Sequence, residues 1–285
     1  MRERANYVFG FHRIVEHYST LNLTKRSDRL PALCGLCKRI QNVRGEYAAG
    51  LWLESIAFDI MWRVERLNVD STKVLRPDEE YCGPSWSWVS VQDPVTYWTD
   101  IVNFHDASRL FRPPPEGQTD TQQRKPFSKP TCLGRNLGQD NVLLKLAEGG
   151  MNPFGRVAYA ILKGEASITT ATLRYTYSSF WHDGTNKLDL SRYKLTLGAE
   201  SVIELPFWAD YALAAEGSGR IPNGTDLTLL LVHPRVCVVL VDTGLAFSST
   251  PQYRRVGITR ISDDMVNEYR IDWMEFSEVA SFTIV

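Results

Sequence analysis

Apolar residues recur at helical steps in the N-terminal quarter of the chain and alternate with polar ones after Pro77. That change of period predicts a helical part followed by a β-rich part. Val8, Phe11, Val15 and Tyr18 are spaced to share one face of a helix. A second helix is predicted from Ser27 or Asp28 as N-cap, with Pro31 in the first turn, where the missing N–H of proline costs little. Leu30, Leu33, Cys37 and Ile40 form its apolar stripe. Gly45 interrupts the pattern, and a third helix is predicted over 46–65, carrying Tyr47, Leu51, Phe58, Met61 and Trp62.

In Ser85-Trp86-Ser87-Trp88 the alternation predicts an extended strand with both indoles on one face and both hydroxyls on the other. Val89, Val91, Val95 and Tyr97 continue β-type chemistry. The segment 112–130 is rich in Pro and polar residues and reads as a solvated loop or disordered insertion. Short strands are expected at 142–146, 159–163, 166–176, 193–197, 201–205, 227–232, 237–241, 255–261 and 280–285. Asn223-Gly224 and His233-Pro234-Arg235 read as turns, and a short helix is expected within 263–276. The expected fold is α+β: a helical subdomain over 1–76 packed on a β-rich subdomain over 77–285, a mainly antiparallel sandwich or open-barrel-like region.

Composition supports a packed core, with 44% of the 285 residues apolar. A net charge of −1 removes the global electrostatic case for nucleic acid or an anionic membrane surface. No apolar run reaches the roughly 18 residues of a membrane span, and no signal-type segment opens the chain, so a cytoplasmic protein is expected. Five scattered cysteines fit reduced thiols better than a disulfide framework.

Candidate chemistry is sparse. Cys34-Gly35-Leu36-Cys37 has the spacing of a metal or redox pair, but it falls inside a predicted helix and lacks a second ligand pair. The histidines at 12, 17, 105, 182 and 233 are dispersed, and His12 and His17 are five apart, the wrong step for chelation from one helix face. Nucleophile elbows and phosphate-loop glycine patterns do not occur. Catalytic, cofactor-binding and metal residues are therefore not assigned, and no cofactor is expected. Indole side chains could line a groove for a glycan or small molecule, although core packing is the better explanation of the tryptophans.

Several short elements, in order, carry a family resemblance. They are Tyr18-Ser19, Leu23-Thr24, Asp28-Arg29-Leu30-Pro31-Ala32-Leu33, Tyr47-Ala48-Ala49-Gly50-Leu51-Trp52, Met61-Trp62, Pro84-Ser85-Trp86-Ser87-Trp88, Tyr253-Arg254-Arg255-Val256-Gly257 and Phe282-Thr283-Ile284-Val285. Together they resemble the region that follows the N-terminal domain of fungal heterokaryon-incompatibility (HET) proteins. The resemblance implies fungal nonself recognition and programmed cell death as the setting. It implies a non-enzymatic accessory or regulatory role, with a HET domain in cis or in trans, or another protein, as partner. It marks Asp28, Arg29, Leu30, Pro31, Gly50, Leu51, Trp52, Pro84, Ser85, Trp86, Ser87, Trp88, Arg255 and Gly257 as motif residues with a structural part to play. A small-molecule or glycan-binding β module using aromatic side chains is the alternative.

Overall fold

The computed structural model describes residues 2–21, 23–65, 81–100, 142–146, 154–175, 180–182, 185–187, 193–198, 203–214, 219–262, 265 and 278–285. The expected insertion at 112–130 lies outside these residues, as does the expected helix at 263–276 apart from Met265.

Two helices form as the spacing predicts. Helix α1 (Arg2–Ser19) buries Val8, Phe11 and Val15, and α2 (Arg29–Arg44) buries Leu30, Leu33 and Cys37. Gly45 ends α2 at φ +81, donating its N–H to Gln41 O at 2.7 Å. Asp28 does not cap α2 with its side chain. It closes a short 3₁₀ turn (Arg26–Asp28), and its carboxylate accepts from Arg156 instead.

The third predicted helix is replaced by a different set of elements. Strands β1 (Tyr47–Ala48) and β2 (Leu51–Trp52) form a tight hairpin, with Tyr47 opposite Trp52. A 3₁₀ turn (Leu53–Ser55) and the single-turn helix α3 (Ile56–Asp59) follow, and β3 (Arg63–Val64) then pairs with β4 (Val95–Thr96). Ala49 and Gly50 both adopt positive φ, at 47° and 99°, the requirement of a two-residue hairpin turn of the type that matches strand twist. Residues Leu51–Trp62 are nearly all buried, so the segment lacks the polar face that would solvate one side of a long surface helix.

The predicted Ser-Trp-Ser-Trp strand is also corrected. Ser87 N–H donates to Pro84 O at 2.9 Å, closing a turn, and Ser87 then caps a 3₁₀ turn (Trp88–Ser90) by accepting from Val89 N at 3.3 Å. Trp86, Ser87 and Trp88 are all fully buried, so the alternation of indole and hydroxyl does not separate two faces. Serine's capacity to bond its own neighbouring backbone overrides the period-two pattern.

The rest is the sheet expected from the short apolar runs. Its strands are β5 (Val142–Leu146), β6 (Val157–Arg174), β9 (Lys194–Leu197), β10 (Ile203–Ala209), β11 (Asp226–His233), β12 (Val236–Phe247), β13 (Thr250–Arg260) and β14 (Glu278–Ile284); β7 (Phe180–His182) and β8 (Thr185–Lys187) form a separate pair. The eight-stranded sheet runs β10-β9-β6-β11-β12-β13-β14, with β5 also on β6. All its pairings are antiparallel except β13 with β14. Added pairings of β10 with β13 and β14 with β6 curl it into an open-barrel-like form. The runs expected at 159–163 and 166–176 are one strand, because Gly164 stays in register opposite Phe282.

On β11 and the first half of β12 both sheet faces are buried, which explains why these two sequences are nearly continuous apolar runs. On β11, Leu230 and Val232 enter the core shared with α1, α2 and the tryptophans, while Leu227, Leu229 and Leu231 enter a second core inside the curl. Close approach of strands has one strict requirement. A Cβ on Gly257 would lie 2.3 Å from Phe207 and 2.5 Å from the backbone carbonyl of Trp208. Gly257→Ala should therefore destabilise the fold by about 1–3 kcal/mol through overpacking, read as a lower urea midpoint with an unchanged slope.

Candidate functional site

Most of the motif residues, far apart in sequence, converge on a buried seam between the helical layer and the sheet. Ser87 Oγ donates to Ala49 O, and Trp88 Nε1 donates to Gly50 O at 3.0 Å. A Cβ on Gly50 would stand 2.9 Å from Trp88 Nε1, so the β1–β2 turn and the indole fit only without one. Trp62 Nε1 donates to Trp86 O at 3.1 Å. Ser85 N–H donates to Val285 O at 3.0 Å, and its hydroxyl accepts from Arg255 N–H at 3.0 Å. Arg29 donates to Val91 O and, at 3.0 Å, to Gln92 O, tying the first turn of α2 to the chain just beyond the tryptophans. Leu30, Leu51, Trp52 and Pro84 are buried there, while Pro31 is half-buried on α2 and Asp28 is half-exposed beside Arg156. Gly257 belongs to a different contact, against β10.

Arg255 fastens the sheet to this seam. Its Nε donates to Asp210 Oδ2 at 2.9 Å and its Nη2 to Asp210 Oδ1 at 3.2 Å. Nη1 and Nη2 also donate to Ile60 O and Trp62 O, each at 2.6 Å, and the guanidinium carbon lies 3.4 Å from the Trp62 ring centre. Burial raises the carboxyl of Asp210, with Arg255 acting against that rise. Burial likewise lowers Arg255, with Asp210 opposing.

A second buried network centres on Asp59. Its Oδ1 bonds His12 Nε2 at 2.7 Å, and its Oδ2 accepts from Arg44 Nη2 at 3.1 Å, Ser55 Oγ at 3.0 Å and Trp52 N–H at 2.9 Å. The His12 ring stacks on Tyr97 with centres 3.8 Å apart, and Tyr97 OH donates to Asp59 O at 3.3 Å. Burial works to raise the Asp59 carboxyl; Arg44, His12 and the Trp52 N–H outweigh it and hold the group below the usual carboxylate range. Serine, histidine and aspartate do meet here, yet the carboxylate is the hub and Ser55 donates to it rather than to the imidazole. A serine nucleophile needs the imidazole as its proton acceptor. The arrangement joins α1, α2, β2 and α3.

Arg44, Asp59 and Asp210 carry no motif or spacing signal, and spacing marks His12 only as a poor partner for His17 in chelation. The available signal was polarity inside apolar runs: Asp59 stands between Phe58 and Ile60, and Asp210 between Ala209 and Tyr211. A charge that interrupts a buried run needs a partner of opposite sign. Cys34 and Cys37 lie on α2, and burial pushes the Cys37 thiol up to about 11. That keeps Cys37 a thiol rather than a nucleophilic or ligating thiolate at neutral pH. None of the four described cysteines forms a disulfide, and among the described residues no group of three or more His, Cys, Asp or Glu has metal-holding geometry. Likewise, no described helix is long and apolar enough to cross a membrane.

No family model, no curated protein and no solved structure matches this chain.

Proposed function

We propose that the chain is a non-enzymatic accessory region of a HET-type protein, working in the cytoplasm in fungal nonself recognition and programmed cell death. It would hold or regulate a HET domain, supplied in cis or in trans, or another protein partner. The observation that carries the reading is the convergence of the motif residues. Elements separated by up to 200 positions, such as Ser85 and Val285, meet in direct hydrogen bonds at one seam. A set of motifs that resembles a family in order, and that also forms one contiguous unit in space, is what a shared scaffold requires.

The test is co-expression of the full chain with a HET-domain protein in a fungal host. Co-purification of the two, together with a change in the death response relative to the HET domain alone, is the expected result. Absence of both overturns the proposal.

The alternative, a glycan-binding or small-molecule module, needs accessible indoles. Trp52, Trp62, Trp86 and Trp88 are fully buried, which withdraws them from any such platform. Of the described tryptophan side chains, Trp98 and Trp208 are the half-exposed pair.

A further inference from the structure

We draw no further inference here: the strongest candidate, the exposed apolar patch of Leu143 and Tyr159 on the face of the β5–β6 pair turned away from the helical layer, carries nothing because nothing in the structure shows what covers it.

Discussion

Arg255→Leu is expected to destabilise the protein by about 3–5 kcal/mol, because it leaves the Asp210 carboxylate buried without its partner. The loss has two parts that can be separated. One is the uncompensated charge on Asp210; the other is the orphaning of Ile60 O and Trp62 O, which accept from the same guanidinium. The double variant Asp210→Leu/Arg255→Leu removes both charges, so it should recover much of the stability while leaving the carbonyls unmet. Urea unfolding of the three proteins measures this. A double variant as unstable as Arg255→Leu alone would show that the carbonyl contacts, and not the ion pair, hold the sheet to the seam. Were Arg255→Leu to unfold at the wild-type midpoint, Arg255 would have no part in that fastening.

Asp59→Asn should cost about 3 kcal/mol at neutral pH, since Arg44 and His12 lose the charge they face. The amide oxygen can still accept from Ser55 or the Trp52 N–H, which keeps the loss below that of a truncation. Acid should erase the difference. A carboxyl held below its unfolded value contributes stability that is full above the unfolded value, about 3.9 for aspartate, and is lost as pH falls through the lower folded value. The Asp59 carboxyl is held low in this way by Arg44, His12 and the Trp52 N–H, against the opposing pull of burial. Wild type and Asp59→Asn should therefore differ most at neutral pH and converge below about pH 4. A gap between the two urea midpoints that stays constant from neutral pH into acid would refute Asp59 as the titrating group.

The sequence by itself determined the class of fold, two of the helices and most of the strands. These rest on local pattern: Val8, Phe11 and Val15 at helical spacing, and Leu227–Val232 as an apolar run too short for a helix. It also marked Gly50 and Gly257, although not why they are glycines. The tertiary structure alone decided three things. The segment 46–65 became a hairpin and short turns, because a stretch buried on all sides has no amphipathic face to read, and the Ala49-Gly50 turn then decided its path. Trp86 and Trp88 took a turn instead of a strand, because Ser87 found partners at Ala49 O and Val89 N that only the assembled fold brings near. His12, Arg44 and Ser55 gathered on Asp59, and Asp210 on Arg255, across separations no periodicity records. Local spacing encodes which face of an element turns inward; which buried charge meets which depends on the path of the chain between them.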